Sequence, residues 1–396
     1  MAPRDAALER LVEQVRAARA DRRALDIRGG GSKAFLGGLP VGEPLALGEL
    51  AGISSYEPSE LVVTARAGTP LAELEATLAE RGQCLPFEPP RLAPEGDGAG
   101  PAGGTVGGMV AAGLSGPARA AAGSVRDHVL GASLLDGRAE LLSFGGQVIK
   151  NVAGYDVSRL LAGSMGVLGV ICEVSLKVLP LPPATATLRF ELDQAQAIER
   201  LNAWGGQPLP IHASAWWQGT LALRLAGARA AVDAACATLG GEAVDPALAA
   251  SFWTALRDQR DEYFVAAQAR VAAGATLWRL ALPATAAPLP LAGDTLLEWG
   301  GAQRWLCTEA APAAVRAAVQ AAGGHATRWR GGDRAGDSFE PLPPVLLRAS
   351  TANSRPPSTP RACSTAGGCT RKAERANRAG GAAAPRPQRS QPLCLM

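Results

Sequence analysis

The residues most able to do chemistry form the run Arg28-Gly-Gly-Gly-Ser-Lys33 near the start of the chain. Glycine has no Cβ, so three in succession let the backbone approach a ligand closely and adopt positive φ. Consecutive backbone N–H groups in such a turn form a concave anion site, which Arg28 and Lys33 flank with positive charge. The run predicts a loop that holds a phosphate or pyrophosphate. A flexible turn is the alternative interpretation.

A second cluster of small residues is Gly103-Gly-Thr-Val-Gly-Gly-Met-Val-Ala-Ala-Gly113, which follows a loop rich in proline and glycine. It continues into Leu114-Ser-Gly-Pro-Ala-Arg119 and Gly123-Ser-Val-Arg-Asp-His-Val-Leu-Gly131. Small residues at this density allow a helix to begin against a ligand, and its N-terminus carries partial positive charge. A tightly packed Ala/Gly helix is the alternative interpretation of the same residues.

Regular elements must position these two loops. An apolar stripe over residues 1–22 predicts an amphipathic helix, and alternation over residues 24–28 predicts a strand that ends in the first loop. Thr69 as N-cap and Pro70 at the first helical position predict a helix over residues 70–81. Further strands are expected over residues 44–47, 60–65, 129–135, 139–143 and 167–178, with a hairpin turn at Asp136-Gly137.

Prolines at positions 180, 182 and 183 mark a domain boundary. Beyond it, apolar patterning predicts strands over residues 186–192, 220–225, 275–282, 295–299 and 303–307. Helices are expected over residues 193–204, 228–239, 246–263 and 313–322. The alternation predicts an α+β domain with a mostly antiparallel sheet. All eight tryptophans lie here, where packing in the core and at interfaces is the favoured interpretation.

Composition and charge argue against several classes of protein. The 396 residues suit roughly two or three domains. The sequence contains no uncharged apolar run of about 18 residues, so it predicts no membrane span. The first residues lack the apolar core of a secretory signal, so the expectation is an intracellular, cytoplasmic protein. The net charge is +3, but residues 348–396 carry +8, so the remaining 347 residues carry −5 and predict no nucleic-acid partner.

Cysteine and histidine spacing gives no sign of a metal or iron–sulfur site. Four of the seven cysteines lie in apolar surroundings and are expected to be buried thiols: Cys84, Cys172, Cys236 and Cys307. Of the three histidines, His128 lies beside the second glycine segment, where a structural role is favoured over a catalytic one. His212 and His325 stand apart from any motif. No His/Arg substrate cluster is evident in the second domain, so the catalytic residues are left unassigned.

The C-terminal segment, residues 348–396, differs from the rest of the chain. Its apolar periodicity vanishes, and its Ser, Thr, Pro, Arg, Gly and Ala composition predicts disorder. Synonymous codons permit a second frame, starting at the third base of the codon for Ala349, that encodes LHRQLKAAFDPAGVFNRGRLYAE. This peptide has helical periodicity and a Phe-Asp-Pro-Ala-Gly turn. Our hypothesis is that the tail is a frameshift product, which resequencing of the locus tests.

Taken together, the motifs resemble the FAD-binding domain of the vanillyl-alcohol oxidase/PCMH family. The strings Arg28-Gly-Gly-Gly-Ser-Lys33, Ser115-Gly-Pro-Ala-Arg119, Gly123-Ser-Val-Arg-Asp127 and Val148-Ile-Lys-Asn-Val-Ala-Gly-Tyr-Asp156 look like the FAD-binding subunits of bacterial glycolate oxidases. The resemblance covers about residues 5–347. It implies a PCMH-type domain of two α+β subdomains over residues 1–182, and an α+β cap domain for substrate or subunit contacts over residues 183–347.

The resemblance also implies which residues hold FAD. The first loop would wrap the pyrophosphate through backbone amides, and the second would support the pyrophosphate and flavin. Ser124 and Asp127 would lie near the ribityl and phosphate portion, and residues 166–171 would pass the adenine. The implied set is Gly29, Gly30, Gly31, Ser32, Lys33, Gly103, Gly104, Thr105, Gly107, Gly108, Ser124, Asp127, Gly166, Gly169, Val170 and Ile171. Because the first loop has Lys33 and no histidine, we expect the FAD to be non-covalent.

The activity implied is oxidation of glycolate to glyoxylate, with electrons passed to an acceptor other than NAD. The partners implied are a larger flavoprotein subunit and an iron–sulfur subunit, through which the chain could lie at the inner face of the membrane. Two alternatives stay open. One is a self-sufficient FAD-dependent dehydrogenase of another 2-hydroxy acid, such as lactate. The other is a structural subunit with a vestigial flavin site.

Overall fold

The computed structural model describes residues 5–93, 103–146, 156–334 and 338–339. In it, the first glycine loop directly follows a strand of a small parallel sheet. Strand β1 (Leu25–Arg28) pairs in parallel with β2 (Glu43–Ala46). Helix α1 (Ala6–Ala20) precedes them and begins at Asp5, whose carboxylate accepts a hydrogen bond from the Leu8 N–H. Its buried face carries the apolar residues whose spacing predicts the helix.

A five-stranded antiparallel sheet forms the centre of the N-terminal unit, which we define as residues 5–180. Its strand order is β3-β4-β8-β6-β7. The strands are β3 (Ile53–Glu57), β4 (Val62–Arg66), β6 (Val129–Leu135), β7 (Leu141–Gly145) and β8 (Val170–Lys177). The short strands β5 (Gln83–Cys84) and β9 (Leu179–Pro180) pair beside it. The helices are α2 (Leu71–Ala79), α3 (Val106–Ala112), α4 (Arg119–Ala122), α5 (Val125–His128) and α6 (Val157–Leu160).

An eight-stranded sheet, antiparallel at every pairing, forms the C-terminal unit, residues 184–334. Its order is β13-β10-β12-β11-β15-β16-β14-β17. The strands are β10 (Ala184–Glu191), β11 (Ile211–Trp217), β12 (Thr220–Gly227), β13 (Glu242–Ala243), β14 (Thr276–Ala281), β15 (Asp294–Glu298), β16 (Gln303–Thr308) and β17 (His325–Arg330). The helices are α7 (Gln194–Gly205), α8 (Arg229–Leu239), α9 (Pro246–Arg257), α10 (Glu262–Ala272) and α11 (Pro312–Ala321). The α+β class with mostly antiparallel sheets is confirmed.

Several elements differ from the sequence expectation. Thr69 does not cap α2, because its hydroxyl is bonded to the backbone N–H and carbonyl of Gly52, and the helix begins at Leu71. The single helix expected over residues 246–263 is two helices, α9 and α10, separated by a turn in which Gln259 has a φ of +56°. Strands β3, β11 and β17 and the two-residue strands β5, β9 and β13 were missed. Within the described residues, no helix is long and apolar enough to cross a membrane.

The two units meet along a seam that contains polar and aromatic contacts. Arg224 donates to Glu88 at 2.7 Å, and Glu88 also accepts from the Ala118 N–H at 3.0 Å. Phe35 packs edge-on against Trp329, with ring centroids 5.1 Å apart. Seven of the eight tryptophans are buried, as expected for packing residues. The expected boundary after residue 182 falls between β9 and β10.

We expect Arg224→Met to destabilise the chain by about 1.5–3 kcal/mol, because the Glu88 carboxylate loses a charged hydrogen-bond partner in a mostly buried place. The urea midpoint of unfolding measures the change. Arg189→Met is the matched control, since its ion pair with Glu191 is exposed and worth about 0.5 kcal/mol or less. Equal midpoints for the two variants would show that the seam contact adds no stability.

Candidate functional site

The first glycine loop lines a cavity of about 330 Å³ in the N-terminal unit. Four segments meet there: the end of β1 with its loop, the start of α3, the turn before β8, and the chain just beyond the first loop. The lining consists of residues 26–34, Leu36, Gly38, Pro40, Leu47, Thr105, Gly107, Gly108, Ala111, Ala112, Met165, Gly166, Gly169 and Ile171. Eleven of the residues that the sequence assigns to a cofactor are therefore in one place.

The backbone N–H groups of residues 29–33 make no hydrogen bond to any other residue that the structure describes. Gly31 has a φ of +70°, a conformation that side chains disfavour, and it turns the chain back so that the Ala34 N–H donates to its carbonyl. Gly30 and Ser32 are buried, and buried N–H groups without partners are rare in folded proteins. A run of such donors beside a cavity predicts an anionic occupant.

The second loop closes the cavity by fitting against the first without side chains. A Cβ on Gly29 would lie 2.4 Å from the Thr105 Oγ1 atom. A Cβ on Gly104 would lie 2.6 Å from the Ser32 Oγ atom and 3.1 Å from the Lys33 Nζ atom, and Gly104 has a φ of +85°. Glycine at both positions allows the two loops to approach each other closely, and Gly104 is also required for its positive φ.

Three amides of the second loop, those of residues 106–108, are already used inside the protein. The Val106 and Gly107 N–H groups donate to the carbonyls of Thr69 and Ala67, at 3.0 and 2.8 Å. The Gly108 N–H donates to the Thr105 side chain, which caps α3. Since these three donors are occupied, residues 106–108 serve as a wall and a spacer beside the first loop.

Lys33 is the cation that faces this cavity without an acidic partner. Its ammonium donates to the Ser32 hydroxyl at 3.0 Å, and no described carboxylate lies within ion-pair distance of it. Burial lowers the pKa of Lys33 to about 8. Arg28 differs, because it is paired with the buried carboxylate of Asp26 at 2.6 Å. An anion in the cavity would supply the negative counter-charge that no described acid provides for Lys33.

The far wall of the cavity is formed by Met165, Gly166, Gly169 and Ile171, at the start of β8. Gly169 has a φ of +145°, and a Cβ there would lie 2.7 Å from the Leu135 carbonyl oxygen. Val170 is buried beside this wall but does not line it. Residues 166–171 are therefore in place for the far end of an elongated ligand.

Besides Val170, four assigned residues lie outside the cavity lining. Ser124 and Asp127 form the capping box of α5, and hydrogen bonds from Ser124 lower the pKa of Asp127. Gly103 packs on the Arg91 side chain, and Gly104 stands behind Ser32 and Lys33. Contacts of these residues with a cofactor stay a prediction. The motif over residues 147–155 lies outside the described residues.

Sequence reasoning missed the apolar lining. Leu36, Gly38 and Pro40 follow directly after the first loop, so extending the motif would have found them. Met165 and Ala111 reach the wall only through folding, and no sequence signal indicates them. His128 is buried, bonds the Ala122 carbonyl at 2.9 Å and packs on Phe87, which agrees with a structural role.

Comparison with known proteins gives the class and then the family. A family model described as an FAD binding domain matches residues 6–145. A crystal structure of alkyldihydroxyacetonephosphate synthase shares the fold, with a TM-score of 0.54 and 14% identity over 80% of this chain and 70% of that chain. The fold and the cavity therefore define a PCMH-type FAD-binding protein.

The chain is also similar to the glycolate oxidase subunit GlcE of Escherichia coli strain K12. The two are 45% identical over 338 residues, which is 85% of this chain and 90% of that protein. This chain belongs to the GlcE family of glycolate oxidase subunits. A D-lactate dehydrogenase of Anaerostipes hadrus is 30% identical over only 40% of this chain and 30% of that enzyme.

Proposed function

We propose that this chain is the FAD-carrying subunit of a glycolate dehydrogenase complex, which oxidises glycolate to glyoxylate and passes the electrons to an acceptor other than NAD. The observation that carries the proposal is the first loop, where five residues whose N–H groups have no described partner line a cavity of about 330 Å³, and one of them, Lys33, has no described acidic partner. Identity to a glycolate oxidase subunit over most of the chain supplies the reaction.

The residues present fit a dinucleotide with a pyrophosphate bridge. The first loop and Lys33 would hold the two phosphates, and Gly29 and Gly104 keep their approach open. The wall at residues 166–171 would face the adenine end, and Ser124 and Asp127 are proposed for the ribityl and phosphate portion. Bound FAD supplies a two-electron acceptor, while the chain fixes its position and its electrostatic surroundings. We propose non-covalent attachment, since no histidine or cysteine lies among the lining residues.

We further propose that the chain works beside a larger flavoprotein subunit and an iron–sulfur subunit in the cytoplasm, at the inner face of the membrane. The support is its family, which is named for a subunit of glycolate oxidase. The sequence itself has no cysteine spacing able to hold an iron–sulfur cluster. The electrons would therefore leave the flavin for an acceptor outside this chain, and we propose the iron–sulfur subunit.

Two alternative functions have less support. A self-sufficient lactate-type dehydrogenase has weak support, because the lactate dehydrogenase relative matches less than half of this chain. A structural subunit with a vestigial flavin site is disfavoured by the intact loops, since Gly29, Gly104 and Lys33 keep the cavity open and charged.

Reconstitution tests the proposal. The chain is purified alone and together with its two partner subunits, and glycolate-dependent reduction of an artificial dye is measured, with lactate as the competing substrate. We expect the full complex to prefer glycolate, and to lose activity when this chain is left out or supplied without FAD. Full activity of the partners without this chain would overturn the proposal. Lactate-driven activity of the chain alone would favour the self-sufficient enzyme.

A further inference from the structure

The chain just beyond the first loop, residues 34–38, separates the cavity from the C-terminal unit, and we call it the exit segment. Ala34, Leu36 and Gly38 line the cavity, whereas Phe35 packs on Trp329 of the C-terminal unit. Residues 29–42, all of them described, form turns and bends and contain no helix or strand. The conformation of the exit segment therefore depends on what its neighbours hold in place.

Two residues that follow β17 donate hydrogen bonds to backbone carbonyls of the exit segment. The Ser338 hydroxyl donates to the Gly37 carbonyl at 3.0 Å. The Arg334 guanidinium donates to the Ala34 carbonyl, and to the Gly38 carbonyl at 3.4 Å. Three carbonyls of the exit segment, at both of its ends, are thus held by the chain that leaves the second sheet.

Ser338 is itself fixed to that sheet. Its carbonyl accepts a hydrogen bond from the Arg328 N–H at 2.8 Å, and its hydroxyl accepts one from the Arg328 Nη2 atom at 3.3 Å. Arg328 belongs to β17, the edge strand of the eight-stranded sheet, and Ser338 is buried. A group positions a binding loop precisely only when it is attached to a rigid element, and Ser338 meets that condition.

Phe35 attaches the exit segment to the C-terminal unit a second time. Its buried ring lies edge-on to Trp329, and the Arg330 guanidinium carbon is 3.8 Å from its centroid. Trp329 donates to the Gln259 side chain at 3.0 Å and packs on Trp305, with ring centroids 5.0 Å apart. Aromatic pairs and cation–π contacts of this kind favour one orientation of the ring. The Phe35 side chain is therefore fixed in the core of the C-terminal unit.

The exit segment directly follows the five N–H donors of the first loop, residues 29–33. An anion is bound well only when these donors point into the cavity together. A loop that is free to move loses backbone freedom when it binds, and this loss is subtracted from the affinity. The contacts made by Phe35, Arg334 and Ser338 restrict the loop before the ligand arrives.

We propose that Phe35, Arg334 and Ser338 are positioning residues for FAD. They hold the exit segment from the side of the C-terminal unit, so that the first loop keeps its donors directed at the pyrophosphate. None of the three is among the described residues that line the cavity. The inference rests on the proposed function and deepens it, because it gives the chain beyond β17 a part in cofactor affinity.

FAD affinity, measured by fluorescence quenching during titration of the apoprotein, is the readout. We expect Ser338→Ala to weaken FAD binding about 3- to 10-fold, the effect of one hydrogen bond. Arg334→Met and Phe35→Leu should each weaken it by a similar factor. Arg334→Lys should recover part of the loss, because an ammonium can still donate to one carbonyl.

Two control variants separate positioning from general stability. Ser214→Ala removes a buried hydroxyl that accepts from the Gly300 N–H at 3.0 Å, outside the cavity lining. Arg224→Met breaks a different contact between the two units. Both should lower the urea midpoint of the apoprotein yet keep FAD affinity within about twofold of wild type, as changes at independent sites do.

The outcomes distinguish this inference from the proposed function. Wild-type affinity in both Ser338→Ala and Arg334→Met would overturn the inference and leave the FAD site standing. The inference is equally overturned if the two controls weaken FAD binding as much as these variants do. A wild-type chain that takes up no FAD would overturn the proposed function, and the inference with it. Should Phe35→Leu fail to fold, the two hydrogen-bond variants decide.

Discussion

Replacing Gly104 by alanine is expected to weaken FAD binding about 100-fold, a loss of roughly 2.7 kcal/mol. The new Cβ would lie 2.6 Å from the Ser32 Oγ atom and 3.1 Å from the Lys33 Nζ atom, so these two side chains must leave their places in the first loop. Alanine also disfavours the φ of +85° at this position. The first effect acts on the loop with free N–H groups, and the second acts on the loop that packs against it. Quenching of FAD fluorescence during titration of the apoprotein measures the affinity.

Gly205→Ala is the matched control for that variant. A Cβ at Gly205 meets no atom within 4 Å, and the residue is the last of α7, far from the loops in sequence. We expect wild-type affinity and a urea midpoint equal to or above that of the wild-type chain, because alanine favours helix. FAD affinity of Gly104→Ala within twofold of the control would show that the two loops do not form the site together.

Lys33→Met is expected to weaken FAD binding about 10- to 100-fold, as loss of a charged hydrogen bond to a phosphate does. The same change should stabilise the apoprotein slightly, because it removes a buried charge that no described acid compensates. A structural residue would show the opposite combination. Lys177→Met, which removes the same charge outside the cavity lining, should leave the affinity unchanged.

The pH dependence of FAD binding follows from the same lysine. In the free chain the pKa of Lys33 is lowered to about 8, whereas a bound phosphate favours the charged ammonium and raises that pKa. Above a pH of about 8 the free chain loses the proton, and binding must take it up again, so the affinity falls as the pH rises. Below that pH, Lys33 contributes no slope. The Lys33→Met variant should show a flat profile across this range, and a wild-type slope in that variant would assign the titration to another group.

Sequence alone predicts the parts of the site that are contiguous in the chain. The residue types in the run from Gly29 to Lys33 indicate anion binding. Few other residues can replace glycine in a bare turn or lysine as its positive charge. The apolar spacing of α1 and the β-rich run at β4 also suffice to place those elements. The small residues of the second loop were sufficient to predict it. Its Val106 and Gly107 amides are occupied by the carbonyls of Thr69 and Ala67, and the local sequence does not indicate these contacts.

The contacts between the two units show why the remainder could not be predicted. Arg224 and Glu88 are 136 positions apart in the sequence, and only the packing of the two units brings them together. Strand β11 was missed because small alanines at 213 and 215 weaken its alternation. Residues 348–396 lie outside the described residues, so the frameshift stays a hypothesis for resequencing.

The central claim is that the two bare loops hold the pyrophosphate of a non-covalent FAD. Its most direct test is the visible absorption spectrum of the full chain, purified from cells with ample riboflavin, followed by acid precipitation. The account predicts a flavin spectrum and a yellow supernatant whose dinucleotide is released in one-to-one ratio to the chain. A colourless chain that takes up no added FAD would contradict it, and colour that stays in the pellet would contradict non-covalent attachment.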